Sequence, residues 1–339
     1  MKQSYPGLYK LMTDDPDYPG RMVLDHPSAQ RLAAEISPDS QPVDLGGVMS
    51  LNIWLNANNT VLRIHQPSMS KRRILALQMV RLRLMERGLT LPLPLPWHGK
   101  TVVRCGDRWA ELDEYIPNTR LPHTADAYLW LFSKMGIFQA ALYELDISVP
   151  RPPYAPYAPP SSIRRWLPVT KAAVQDDPEA LATIKLMEKL AKQLRQQWLP
   201  ETRLPKQLIH GDFRLSNVRQ TNNEGTVYFD LGFMAWRPRV YELAYSLFFM
   251  FLGLGGHEIL DDFDWSFVGQ LIEAYEATAT NPLTQIERQA LAPLTASVAF
   301  YAAALDGFTE NPIQNLHTRL PFLQVSAWLL KNPDRLLQV

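Results

Sequence analysis

The stretch that most constrains this chain is "QLIHGDFRLSNVRQTNNEGTVYFDLG", residues 207–232. An apolar approach (Gln207, Leu208, Ile209) runs into His210-Gly211-Asp212, so a buried segment ends where the first acid begins. Two short strand-forming runs, Val218–Gln220 and Thr226–Phe229, flank the turn-rich TNNEG of 221–225, which is the pattern of a hairpin. Closing that hairpin folds Asp230, at the end of its second strand, back towards Asn217, five residues beyond Asp212. Turn chemistry accounts for single Asp or Asn residues at strand ends. Here Asp212, Asn217 and Asp230 converge from three chain positions between apolar flanks, and that arrangement suits a reaction.

Phosphoryl transfer uses such a set. One carboxylate orients and deprotonates an acceptor hydroxyl, while an amide and a second carboxylate hold magnesium against nucleotide phosphates. Oxygen ligands around a hard cation also fit a chain without a cysteine or histidine cluster. Its single cysteine, Cys105, excludes an internal disulfide and a cysteine-based zinc site, and suits a reducing cytosol. Lys+Arg and Asp+Glu both number 34, so no bulk electrostatic argument for nucleic acid or an anionic membrane survives. The start lacks the basic and apolar blocks of a signal peptide. The run Leu243–Leu254 is too short to cross a bilayer, which needs about 20 residues. A cytoplasmic protein with no membrane and no nucleic-acid partner is the expectation; oligomeric state is left open.

With 339 residues there is room for two packed units sharing a cleft. Residues 1–41 read as an extension with one short helix, Pro27–Ile36. From Pro42 the texture is strand and turn: a hairpin of Leu51–Leu55 and Val61–His65 around an Asn-rich turn, then two strands in 101–116. Between them lies one helix, Ser68–Arg87, with apolar spacing near 3.6 and Gly88 as its stop. "LPLPLP" forces an extended connection. After Pro117 long helices dominate: Asp126–Leu145, Pro178–Trp198, Glu242–Phe251, Ser266–Thr278 and several from Thr284 on. "RPPYAPYAPP" (151–160) reads as an extended surface connector between helices. The expectation is an α+β chain of two lobes, a β-rich one ending at 116 and a mainly helical one from 117 to 339.

His210-Gly211-Asp212 with Asn217, followed by Asp230-Leu231-Gly232, resembles the H-R-D-x-x-x-x-N and D-F-G signatures of protein kinases. Glycine in second place is similar to the aminoglycoside phosphotransferase family, which also includes choline, homoserine and methylthioribose kinases. "GGVMSLN" (46–52), "TVLRIH" (60–65), "ELDEYIPN" (111–118), "ALYELD" (141–146) and "YELAYSLF" (241–248) extend the likeness over about residues 42–250. The resemblance implies a bilobal protein-kinase-like fold and transfer of the γ-phosphoryl group of ATP, with Mg2+, to a hydroxyl of a small molecule. Aminoglycosides, choline-like amines, homoserine and sugars stay open as acceptors, and GTP as the donor. It further implies Asp212 as base, Asn217 and Asp230 as metal ligands, and Arg63 in place of the usual strand lysine. Gly46 and Gly47 would lie over the phosphates, and the backbone at Glu114, Tyr115 and Ile116 would meet the purine. Arginine can clamp phosphate bidentately. The helix after Arg63 should carry a glutamate to pair with it, yet its only carboxylate is the distant Glu86, with Leu77 or Gln78 nearer the expected place.

For the acceptor, Trp236 and Arg237 follow Asp230 closely and offer a ring and an anion contact. Glu258, Asp261, Asp262 and Asp264 gather beside Trp265, where a cationic substrate could be drawn. Gly99-Lys100-Thr101 is not a phosphate loop, since Pro94 stands where G-x-x-x-x-G-K-T needs glycine. His210 reads as a structural residue bonded to the loop backbone. Two alternatives remain. The absent helix glutamate allows a catalytically impaired nucleotide-binding regulator. A hydrolase built on His210 and Asp212 would need further histidine ligands nearby, and the other histidines are scattered.

Overall fold

The computed structural model describes residues 21–336 apart from 48, 153–156, 158, 257–259 and 310. Residues 1–20 of the N-terminal extension, Val48 of the glycine loop and Glu258 of the acidic patch therefore lie outside the described residues. Helix α1 (Pro27–Ile36) starts on a His26 cap. Next come β1 (Val43–Asp44), β2 (Leu51–Leu55), β3 (Thr60–Ile64), α2 (Lys71–Glu86), β4 (Pro94–Leu95), β5 (Val103–Cys105) and β6 (Arg108–Glu114). The strands form one antiparallel sheet in the order β1-β2-β3-β6-β4, with β5 also on β6.

Strict alternation gives this sheet two different faces. Leu51, Ile53, Leu55, Leu62 and Ile64 are buried on one, packed against Ala29, Leu32 and Ala33 of α1. The register pairs Asn52 with Arg63 and Arg63 with Glu111, so these three polar side chains share the other face. That second face carries α2 and opens towards the rest of the chain. Helix α2 begins on a Ser70 cap and stops at Gly88, whose φ of +84° suits glycine.

Past the sheet, β7 (Asn118–Thr119) crosses over to pair with β9 (Val218–Thr221), which hairpins to β10 (Thr226–Tyr228). Helices α3 (Ala125–Tyr143), α4 (Pro160–Ala173) and α5 (Pro178–Gln197) precede β8 (Lys206–Ile209). Strand β11 (Ala235–Pro238) pairs with β8. Helices α6 (Val240–Gly253), α7 (Ser266–Glu276), α8 (Gln285–Leu305) and α9 (Pro312–Lys331) complete the chain. The helical core is built by α3 on α7, α6 on α8, and α9 on both α8 and α5. The span Gln285–Phe308 is long and apolar enough to cross a membrane, but 94% of its apolar window is buried inside the molecule.

Two elements differ from the sequence expectation. Helix α4 follows directly on the proline-rich run and contains Pro168, so its residues look irregular in sequence. It forms because Pro160 sits in the first turn, where a missing N–H costs nothing, and Ile163, Leu167 and Thr170 are buried. Within "LPLPLP", Pro94 and Leu95 pair with Asp113 and Leu112, on an outer strand where proline is tolerated.

Candidate active site

Between the open sheet face and the helical part lies a cavity of about 590 Å³. Gly46, Gly47, Arg63, Glu114, Tyr115, Ile116, Asp212, Asn217 and Asp230 all line it. These residues come from segments spread over 185 positions, from 46 to 230.

Strand β8 ends at Ile209, and the chain then turns through Gly211 at φ +85°. A Cβ there would lie 2.5 Å from the Phe233 carbonyl oxygen, so only glycine lets the two loops touch. The Gly211 N–H donates to buried Glu242 at 2.7 Å. His210 is wholly buried, with Nε2 2.8 Å from the Phe229 carbonyl and Nδ1 accepting from the Asp212 N–H. Burial holds its pKa below the usual histidine range, so the ring is neutral and pins the loop, as its structural reading anticipates.

Asp212 is 2% exposed. Its Oδ1 accepts from Tyr245 Oη at 2.6 Å and lies 2.9 Å from Arg214 Nε. Its Oδ2 accepts from Asn217 Nδ2 at 2.7 Å and from Arg214 Nη2 at 3.3 Å. Burial outweighs these partners, and the nearby charge of Asp230 adds to it, so the carboxyl is pushed up to about 6. Asn217 Nδ2 also donates to the Asp212 carbonyl at 2.9 Å. With its nitrogen so committed, Asn217 turns its Oδ1 towards Ser216 Oγ at 3.3 Å. The Phe229 N–H closes on the Asn217 carbonyl at 2.8 Å, setting Asp230 beside it.

Asp230 adopts φ 57°, ψ 64°, a left-handed conformation that Asp tolerates better than most residues. Its side chain is half exposed to the cleft, and Oδ1 is 2.5 Å from Arg63 Nη2. Burial would raise its pKa, but Arg63 outweighs that and holds the carboxyl below the usual range. Arg63 Nε is buried and, among the described residues, has no hydrogen-bond partner. Over the opposite wall, Gly46 and Gly47 take φ +84° and +120°, and Asn52 Nδ2 donates to the Gly46 carbonyl at 2.8 Å. Tyr115 stacks on Trp54 with ring centroids 5.0 Å apart.

Four expected acceptor residues do not line the cavity. Trp236 and Arg237 follow Asp230 closely in sequence, but β11 pairs back onto β8, opposite Leu208 and Gln207. Trp236 Nε1 then points to the Ile147 carbonyl at 3.4 Å, and Arg237 lies over the Tyr157 ring at 4.5 Å. Asp261 accepts from Trp328 Nε1 at 2.7 Å, and Asp262 is exposed. Side chains that the sequence left unmarked do take part. Arg214 lay inside the motif, whereas Tyr245 reaches Asp212 from α6, 33 residues on. Arg73, fully buried in the first turn of α2, donates to the carbonyls of Gly232 at 2.7 Å and Met234 at 2.8 Å, and also to that of Pro150. It clips α2 to the segment carrying Asp230.

A β-sheet stacked over a helical body, with the Asp-Asn-Asp loops opening between them, is a protein-kinase-like fold. The profile of the phosphotransferase enzyme family matches residues 42–294, three quarters of the chain. The chain belongs to that family, and it is an enzyme of the small-molecule kinase class. Solved structures with the same fold include a microcompartment-associated aminopropanol kinase, at 15% identity and TM-score 0.67, covering 92% of this chain and 96% of that one. The amicoumacin kinase hAmiN, in complex with AMP-PNP, Ca2+ and Ami, is similar at 14% identity and TM-score 0.64, with 89% and 93% covered. Choline kinase LicA from Streptococcus pneumoniae is similar at 11% identity and TM-score 0.52, with 88% and 96% covered. No curated protein sequence matches.

Proposed function

We propose that this chain transfers the γ-phosphoryl group of ATP to a hydroxyl of a small molecule, with the boundary between its nucleotide-binding and substrate-binding lobes at 116/117. The observation that carries this reading is the common cavity of Asp212, Asn217 and Asp230, with Arg63 facing them.

The donor set fits a hard divalent cation. Asn217 offers an amide oxygen and Asp230 a carboxylate, and magnesium is ordinarily held by one or two such groups together with substrate phosphates. When bound, magnesium would neutralise charge on the transferred group. Arg63 lines the cavity, and its guanidinium suits a phosphate oxygen. Tyr115 and the backbone from Glu114 to Ile116 would flank the purine, and Gly46 and Gly47 let backbone approach the phosphates.

Asp212 would receive the acceptor's hydroxyl proton. Its hydrogen bonds from Tyr245, Asn217 and Arg214 fix the direction of its lone pairs, so the hydroxyl meets an oriented base. This argues for catalysis over a purely regulatory nucleotide binder, which has no use for an oriented base. Aminopropanol and choline kinases among the similar folds put amino alcohols first among acceptors to try.

The test combines ATP consumption over a panel of small alcohols with calorimetric binding of the nucleotide, with and without magnesium. Magnesium-dependent binding that Asp230→Ala abolishes, together with turnover on at least one acceptor, is the expected result. Nucleotide affinity indifferent to magnesium and to Asp230 would reject the ligand assignment.

A further inference from the structure

The carboxylate that the helix after Arg63 lacks is supplied from elsewhere. Helix α2 places Gln78 and Arg81 against the sheet, and both meet carboxylates on β6. Arg81 bridges Glu111 and Asp113, reaching Asp113 Oδ1 at 2.8 Å. Gln78 Nε2 donates to Glu111 Oε2 at 2.9 Å, and His65 Nε2 lies 3.0 Å from Glu111 Oε1. All five side chains are buried. The charges are therefore reversed relative to the expected pair: the helix carries the cation and the strand the acid.

Resting on the phosphotransferase reading, the geometry points to Glu111 as the positioning residue for Arg63, held in place by Arg81. Arg63 and Glu111 are direct cross-strand partners on the same sheet face. Across an antiparallel pair, opposite charges attract at close range, and the low dielectric of the interior strengthens that. Both Glu111 oxygens are already taken, Oε1 by His65 and Oε2 by Gln78 and Arg81. Glu111 thus stabilises the Arg63 cation through space without consuming its N–H groups. Arg63 keeps Nη2 on Asp230 and still lines the cavity, so its guanidinium stays at the nucleotide site.

One mechanical consequence follows. A strand cation paired with a helix acid is placed only when the helix is docked. Here cation and acid belong to neighbouring strands, so sheet register places Arg63. Helix α2 braces the acid from behind, and through Arg73 it also braces the Asp230 segment.

A double-mutant cycle tests this, with Arg63→Ala, Glu111→Gln and the pair, each titrated with a non-hydrolysable magnesium–ATP analogue and followed by kcat and KM. Thermal midpoints without nucleotide report folding, with the exposed Arg83→Ala as a surface control. Glu111→Gln should weaken nucleotide binding roughly tenfold, and the double variant should bind no worse than Arg63→Ala alone, because coupled residues are not additive. Additive penalties, or wild-type affinity in a folded Glu111→Gln, would overturn the proposal. Should Glu111→Gln not fold, Arg81→Lys decides by the same comparison, since an ammonium cannot span Glu111 and Asp113 as the guanidinium does. If the wild-type protein binds no nucleotide at all, the phosphotransferase reading fails first.

Discussion

Asp212 and Glu111 are buried carboxylates on opposite walls of one cleft, and their partners nearly match. Each has a guanidinium (Arg214, Arg81), a side-chain amide (Asn217, Gln78) and a ring-borne group (Tyr245, His65). Their acidities nevertheless diverge. Burial pushes Asp212 up to about 6, whereas at Glu111 the same burial is outweighed by Arg81, His65 and Arg63, which hold the carboxyl well below its usual range. The difference lies in solvent and in the neighbouring charge. Arg214 is 37% exposed, so water screens its pull, and Asp230 adds a negative charge beside Asp212. Arg81 is 10% exposed and Arg63 stands directly across from Glu111. Of the two acids sharing Arg81, it is Asp113 that burial and the Glu111 charge push up, to about 7. One shell leaves a carboxylate ready to take a proton; the other makes a fixed negative charge.

The largest expected effect separates chemistry from positioning. Asp212→Ala should lower kcat by about 10²–10⁴-fold while calorimetry finds nucleotide affinity nearly unchanged, the scale of a lost general base. Near-normal turnover would remove Asp212 from that role and collapse the contrast with Glu111.

Next comes stability. Arg81→Gln leaves buried Glu111 and Asp113 without their cation and should destabilise by about 3–5 kcal/mol in denaturant melts. Arg214→Gln removes a half-open pair and should cost about 1 kcal/mol or less. Equal losses in the two variants would show that the walls are not differently solvated.

A smaller effect probes the Asp212 shell. Tyr245→Phe deletes one hydrogen bond to a charged group, about 1.5–3 kcal/mol in such contexts. Part of that loss should appear as a several-fold fall in kcat, with nucleotide binding retained. An unchanged kcat would make Tyr245 a packing residue.

A third carboxylate sharpens the comparison. Asp306 is buried with the Arg319 guanidinium 3.5 Å away, and burial pushes it from 3.8 up to about 6. A carboxyl with a raised folded pKa favours the native state below its unfolded pKa, and that contribution is lost as pH rises through about 6. The stability of wild type relative to Asp306→Asn should therefore fall between pH 4 and pH 6. A difference that is flat over this window would mean that the Asp306 carboxyl titrates as it does in the unfolded chain.

The site was legible in sequence where its geometry is local. Asp212 and Asn217 share one loop, and a short hairpin returns Asp230 to them, so spacing alone could bring them together. Arg63 was readable because strand alternation turns it away from Leu62 and Ile64. Trp236 and Arg237 were misleading for the opposite reason. Nearness in sequence to Asp230 suggested the cleft, but pairing of β11 with β8 carries them elsewhere. Helix α4 was hidden because its prolines mimic a loop, while burial of Ile163 and Leu167 supports it.

By itself, the order of residues showed the family in the likeness of its motifs. It determined the α+β architecture, through periodicity, and the closeness of Asp212, Asn217 and Asp230, through offsets along one loop and one hairpin. Only the folded chain decided what surrounds them. Tyr245 reaches Asp212 from a later helix, Arg73 grips carbonyls near residue 233, and Glu111 meets Arg63 across a strand pair. Charges and hydrogen bonds act over a few ångströms of space regardless of separation along the chain, and the fold sets which groups come that close.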